Sequence, residues 1–572
     1  MPTKQFYTRW TGKLITMHDN APFLSMPITP TRPSSVTVLS PPGSAATRWS
    51  LTGEHPWDAA HHAVMSGNAT YAEPDCVQTR YTDEQVQTRA RQARLTFSLD
   101  AHHGDDGPKE PAQWGPDEHA DPNFSPTWYL HSAGFDRVHT EYVTGTDVRL
   151  TGAGVRIAHL DTGCAPKHPS APRHLALAER RNFYDSSTPT DVTDTNKEWF
   201  TPGHGTGTIG ILAGNTMTLD PRPKWGFGSP YSGDIGCAPD ATVVPVVVGG
   251  IGGSVIHLGD ASVAQGLLYA LGGQGRQPCD VVTISHGGYP CQSWADGVNQ
   301  LYDAGVIVVA AAGDWYRAGL LEAPPHYTVY PAAFWRVVTA TGVTYRNTGY
   351  ETRDNATMQG SYGPDSILYK SIAAFTPNVA WMRPLGTPDD DAPWEMSGGG
   401  TSASTPQIAA ACALWLQKHR DKFPDADWRR VEACRYALEK SATPLPAGVV
   451  PYTSHHGALN VERMLDDQWV DEALAGIANG TIVRRDPDRI SWPLIRDLIG
   501  KAPPGNPEMY EVEAVQTVYR STDSEFVALA HQDWDAVAKR GPDSALSQAD
   551  RTKVKALLLN HDISNALRSA LG

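Results

Sequence analysis

Long apolar runs are missing from this 572-residue chain. No stretch approaches the roughly 20 apolar residues that cross a bilayer. The opening MPTKQFYTRWTGKLITMHDN holds no continuous apolar core of signal-peptide length, so a membrane partner is not expected and a cytoplasmic location is. Clusters of lysine and arginine are missing too. With 47 basic against 62 acidic residues the formal charge is -15, which argues against nucleic acid as a partner, because phosphate binding draws on basic clusters. Cysteine is scarce. Cys76, Cys164, Cys237, Cys279, Cys291, Cys412 and Cys434 are scattered, odd in number and without CxxC spacing, which suits reduced thiols better than a disulfide framework. What is left is an ordinary globular composition, 40% hydrophobic and 19% charged. Its length suffices for one large domain of roughly 250 to 350 residues with additions at its ends.

The most informative stretch is Gly398 to Pro406, GGGTSASTP, which sets Ser402 among small residues ahead of QIAAACALWLQKH. Ile408, Ala411, Cys412 and Trp415 fall on one face at helical spacing, so Ser402 is expected in the first turn of a helix. Unpaired backbone donors and the helix dipole favour negative charge there, as an acyl-transfer site requires. Taken alone, Thr401, Ser402 or Ser404 could simply cap the helix. A serine hydroxyl also needs a base and an orienting carboxylate before it attacks a carbonyl. Upstream, GVRIAHLDTG (154–163) reads as a buried strand ending in Asp161, and GHGTGTIGILAG (203–214) places His204 between glycines ahead of a small-residue helix.

Together these three stretches resemble the subtilisin-like serine proteases, the subtilases, in the family order Asp, His, Ser. The resemblance implies that Asp161 orients the imidazole, His204 is the general base and then acid, and Ser402 is the nucleophile. It spans about residues 128–465. It further matches Ser285, His286 and Gly287 in ISHGG to the family segment that pairs with an extended substrate peptide, and Ala311, Ala312 and Gly313 in AAAGD to the opposite wall of the primary pocket. Asp314 then stands where most subtilases carry an asparagine that donates to the oxyanion. Loss of such a donor costs about 10²–10³ in rate. An ionised aspartate would repel the oxyanion, whereas a protonated one could donate. This leaves open a carboxyl kept neutral by its surroundings, an acid-preferring enzyme, a slow enzyme of narrow duty, or a degenerate site.

Strand patterns at Ala241–Val248, Val281–Ser285 and Val306–Ala312 alternate with helical ones at Ala261–Leu271 and up to Ala304, which predicts a doubly wound, mostly parallel α/β sheet with helices on both faces. Before it, residues 1–99 form an N-terminal region with a strand at Val36–Leu39, a helix at Trp57–Met65 and a strand at Ala69–Asp75. That order resembles the end of a subtilase prodomain, and a permanent N-terminal domain is the alternative. Residues 100–127, dense in histidine, aspartate, glycine and proline, read as an exposed linker. Residues 466–572 are foreign to the family pattern and read as a mostly helical extension that either docks on the catalytic domain or holds a protein partner. No cofactor is expected. The pairs His102, His103, Asp105, Asp106 and His61, His62 lack recognised ligand spacing. The resemblance leaves room for structural calcium, with Asp185, Asp191 and Asp194 as oxygen donors. The expected activity is peptide-bond hydrolysis of a polypeptide substrate through an acyl-enzyme on Ser402. The rivals are a peptide-binding pseudoenzyme and a serine esterase, the latter disfavoured because the α/β-hydrolase order Ser, Asp, His is absent.

Overall fold

Strands of near-continuous apolar residues can be buried on both faces only if helices cover both. Here they form an eight-stranded sheet in which every pairing is parallel. The computed structural model describes residues 7–17, 36–39, 55–79, 125–140, 149–194, 203–219, 231–252, 255–316, 328–345, 347–350, 358–361, 363, 367, 369–384, 393–446, 456–500, 503–521, 523–540 and 546–572. Across the sheet the order is Ser371–Phe375, Val338–Val343, Ile307–Ala311, Val281–Ile284, Arg156–Asp161 and Thr242–Val247, with short His174–Leu175 and Arg181–Asn182 both on the last. The strands and helices expected in this sheet and its cover are present with ends shifted by a residue or two, including the helices Asp260–Tyr269 and Gln292–Asp303. The N-terminal strand expected at Ala69–Asp75 instead runs Tyr71–Thr79, because its pairing continues past Asp75.

Neighbouring strand residues point to opposite faces and join different cores. Ile157, Val243, Val281 and Ile307 pack on one side, and Ala158, Val244, Val282 and Val308 on the other. The first side is covered by helices His204–Ala213 and Gly400–His419, the second by Asp260–Tyr269 and Gln292–Asp303. From Arg156–Asp161 the chain builds outward to Thr242–Val247 and then crosses back to Val281–Ile284 on the opposite flank. The carboxyl end of Arg156–Asp161 is thus a topological switch point, where open α/β sheets leave a crevice.

The N-terminal region forms a second, antiparallel sheet. Tyr7–Met17 pairs with Val36–Leu39 and with Tyr71–Thr79, and Tyr71–Thr79 pairs with Val255–Gly259 of the hairpin Gly249–Gly259. The helix Pro56–Met65 is as expected, whereas the long strand Tyr7–Met17 lies in a stretch that shows no periodic pattern. This sheet is fastened to the body by carboxylates at helix starts. Glu73 accepts the N–H groups of Gln292 and Ser293, both at 3.0 Å, and Asp75 accepts that of Ala261 at 3.1 Å. Both sit where a helix leaves donors unpaired and favours negative charge.

The C-terminal residues are helical: Asp467–Asn479, Pro493–Ile499, Pro507–Arg520, Ser524–Arg540, Gln548–Leu559 and Asn565–Leu571. The single periodicity over Leu546–Leu571 divides in two because Ser564 caps the last helix through the Leu567 N–H. All seven cysteines are free thiols and buried. No helix among the described residues is long and apolar enough to cross a membrane. His102, His103, Asp105 and Asp106 lie outside the described residues.

Candidate active site

Three backbone features bring Asp161, His204 and Ser402 together. Asp161 ends its strand at the switch point, His204 opens a helix after Gly203, and Ser402 lies in the first turn of the helix that starts at Gly400. The 20-residue Ser402 helix contains Pro406, whose missing N–H leaves the Ser402 carbonyl without its usual intrahelical donor.

His204 Nδ1 lies 2.8 Å from Asp161 Oδ1, and His204 Nε2 lies 3.1 Å from Ser402 Oγ. Asp161 also accepts the Thr162 N–H at 2.7 Å and the Thr208 hydroxyl at 3.0 Å, so both its oxygens are held. Burial alone would raise the Asp161 pKa, but the neighbouring His204 outweighs it and holds the carboxyl far below the usual range. Burial likewise works against His204, and the Asp161 charge and hydrogen bond reverse that, raising the imidazole above its ordinary value. An ionised Asp161 fixes Nδ1 as the protonated nitrogen and leaves Nε2 to accept. The single Ser402 hydroxyl proton has two acceptors in reach, His204 Nε2 at 3.1 Å and the Ser285 carbonyl at 2.7 Å.

A model of the subtilase family matches residues 152–463, more than half of the chain. This chain belongs to the subtilase family. Subtilisin Savinase of Lederbergia lenta is 30% identical over 297 residues, 52% of this subtilase and 86% of the relative. An alkaline protease of Alkalihalobacillus alcalophilus is 30% identical over 297 residues, and the match spans only 61% of that protein's length. The major intracellular serine protease of Bacillus subtilis is 27% identical over 197 residues, 34% of this chain and 53% of the relative.

In this subtilase the wall segments lie beside the serine. Ser285, His286 and Gly287 follow the strand Val281–Ile284, and Ala311, Ala312 and Gly313 end the next strand. Val329 and Tyr330 bridge them. The Val329 N–H bonds the Ala312 carbonyl and the Tyr330 N–H the Gly288 carbonyl, each at 2.9 Å. The Val329 side chain is fully buried between the walls. A methyl group added at Gly287 would lie 2.5 Å from Val329 Cγ2, and one at Gly313 3.1 Å from Val329 Cγ1.

Asp314 lies at the start of the Ser402 helix. Its Oδ1 accepts the Thr401 N–H at 2.8 Å and its Oδ2 the Thr401 hydroxyl at 3.1 Å. The same hydroxyl accepts the Gly313 N–H at 3.1 Å, which leaves its proton free for Asp314. Gly400 has φ +73°, and any side chain there would crowd the carboxyl.

Motif reading missed His159 and Thr208, which lie behind Asp161. His159 Nε2 lies 2.8 Å from the Thr208 hydroxyl, whose proton goes to Asp161. A histidine inside an apolar strand was the available signal. His286 stands beside the site with its ring centre 6.2 Å from that of His204 and neither nitrogen hydrogen-bonded to a described residue. Burial depresses His159 and His286 to about 4, so both are neutral at neutral pH.

The three candidate calcium donors do not converge. Asp185 accepts from Ser187 and Thr188, Asp191 from the Thr193 N–H, and Asp194 from the Thr162 hydroxyl. His61 is buried beside Glu513 while His62 is exposed. Among the described residues no group of three or more His, Cys, Asp or Glu could hold a metal ion.

Proposed function

We propose that this subtilase is a serine endopeptidase that cleaves polypeptides through an acyl-enzyme on Ser402. The observation that carries the reading is the hydrogen-bonded chain from Asp161 through His204 to Ser402, 2.8 and 3.1 Å long at its two links. Ser402 Oγ attacks the scissile carbonyl carbon while its proton passes to His204 Nε2. The tetrahedral centre then collapses, the C–N bond breaks, and the leaving amine takes that proton. Water repeats the sequence on the ester and frees Ser402. Asp161 stays ionised throughout and stabilises the transient imidazolium. The first-turn N–H groups of the Ser402 helix other than that of Thr401, which Asp314 takes, favour the oxyanion.

Two features set the rate and the substrate. Asp314 accepts two hydrogen bonds from Thr401, which supports a charged carboxylate that positions the helix start and opposes the oxyanion, and hence a restrained enzyme. Val329 closes the floor between the two walls, which supports a preference for a small residue before the scissile bond. The second reading, a peptide-binding protein with little catalysis, draws on the same Asp314 geometry.

Labelling with a fluorophosphonate probe, located by mass spectrometry, tests the reading. The expected adduct is on Ser402 and is lost in Ser402→Ala, and Asp314→Asn labels several times faster at neutral pH. A Ser402 that stays unlabelled in both the parent and Asp314→Asn would establish the binding protein instead.

A further inference from the structure

The N-terminal region is gripped from two sides. On one side are Glu73 and Asp75 at the starts of the body's helices. On the other is the C-terminal extension, through contacts between residues some five hundred positions apart in sequence. Asp58, on the helix Pro56–Met65, accepts the N–H groups of Asn565 at 3.0 Å and Ala566 at 2.9 Å, and the Asn565 side-chain amide at 2.9 Å. It thereby adds a second cap to the last helix, beside Ser564. His61 packs against Tyr510, with ring centres 4.3 Å apart, and its Nε2 lies 3.7 Å from the Glu513 carboxylate, both side chains being almost wholly buried. Glu513 is held in turn by the Ser564 N–H at 2.6 Å and hydroxyl at 2.8 Å. Asn506 donates to the Thr70 carbonyl at 3.0 Å.

The helix that makes these contacts, Pro507–Arg520, is itself fixed to the body. Gln516 donates to the Pro290 carbonyl at 2.9 Å, and Tyr519 meets Tyr330 with ring centres 5.7 Å apart. Trp57, Ala60 and Tyr71 of the N-terminal region share one apolar core with Trp492, Tyr510, Leu567 and Leu571 of the extension. Separation would return that surface to water and uncap three helices.

We propose that the N-terminal region is a resident subunit rather than a removable segment: after a chain break beyond residue 79 it stays bound, and the C-terminal extension is the clasp that retains it. The partner that this composite surface fits is the chain's own N-terminal piece. Its last strand then stays at the margin of the cleft. There Gln78 accepts the N–H of Tyr289, four residues beyond Ser285 in sequence, at 2.8 Å and donates to Asp260 at 2.6 Å. Nothing in this inference depends on Ser402 being catalytic.

The test uses the full chain carrying Ser402→Ala, with a recognition sequence for a specific protease, flanked by glycine–serine spacers, inserted between residues 110 and 111. After complete cleavage, gel filtration at micromolar concentration is expected to return both pieces in one peak. Asp58→Ala is expected to release the N-terminal piece roughly fivefold faster on dilution, in line with loss of a helix cap. Asn565→Ala, an exposed change on the other side of the contact, should give a smaller increase, so the inference does not rest on one variant's folding. Separation of the pieces in the cleaved parent would overturn the resident subunit. Co-elution with unchanged release in both variants would overturn the clasp.

Discussion

The two faces of the central sheet are built for different tasks. One carries the His204 and Ser402 helices and closes its core with residues from Trp128 to Ala473, the family-matched region and short segments on either side of it. The other carries Asp260–Tyr269 and Gln292–Asp303 and shares its core with both ends of the chain. Small residues, glycine, threonine, serine and alanine, fill the helix starts on the first face around His204 and Ser402, which lets side chains approach within hydrogen-bond distance. On the second face Trp57 of the N-terminal region and Trp492 and Tyr510 of the extension share one core with Trp294 of the body. The proposed chemistry and the proposed retention are thereby separated by the thickness of one sheet.

The largest effect is expected on the first face. His204→Ala should lower peptide hydrolysis by about 10⁴-fold or more without changing retention of the N-terminal piece. Loss of retention in that variant would show that the faces are coupled. The same histidine sets the acid limb. Because its pKa is raised, its neutral form is lost as pH falls through a value above the ordinary 6.5, so hydrolysis should decline on that side in a pH–rate profile.

Val329 probes the boundary, since its side chain belongs to the second face's core yet lies between Gly287 and Gly313, the segments proposed to wall the substrate pocket. Val329→Gly should raise turnover of peptides with a large residue before the scissile bond by roughly tenfold or more relative to alanine there, measured with a matched peptide series. An unchanged ratio would remove Val329 from the pocket.

Thr208→Val should cost about tenfold in rate through the lost hydrogen bond to Asp161, with recovery in Thr208→Ser. A failure of serine to rescue would point to packing instead of hydrogen bonding.

The smallest effect belongs to the second face. Burial pushes Asp296 up to about 7, so the folded chain holds this proton more tightly than the unfolded one. That contribution to stability is full in acid and is lost as pH rises from about 4 to about 7. Asp296→Asn should therefore flatten the dependence of Tm on pH across that window. An unchanged slope would place the responsible groups elsewhere.

Legibility in the sequence follows the same division. Asp161, His204 and Ser402 could be found because each sits on a short stretch whose glycines and apolar strand residues are unusual locally. The parallel strands were legible as apolar runs. The strand Tyr7–Met17 was not, because threonine, arginine and lysine interrupt its apolar positions and its identity comes from pairing with Tyr71–Thr79. The helical character of the extension showed in its periodicity, but not its attachment. Asp58 and Asn565 carry no local sign of each other, and only folding brings them together. Asp314 marked itself by departing from the family pattern, whereas its partner Thr401 followed from geometry alone.

The seven buried thiols have a practical consequence. Burial keeps Cys76, Cys237, Cys291 and Cys434 protonated far above neutral pH, so a thiol-specific dye meets no reactive sulfur until the surrounding structure opens. Cys76 is the sole cysteine ahead of the family-matched region and lies on the strand Tyr71–Thr79 of the antiparallel sheet, while Cys237 and Cys434 lie in the core under the His204 and Ser402 helices. Dye incorporation followed over time and mapped by peptide mass would thus keep a separate clock for each part of the molecule, with no probe to be introduced.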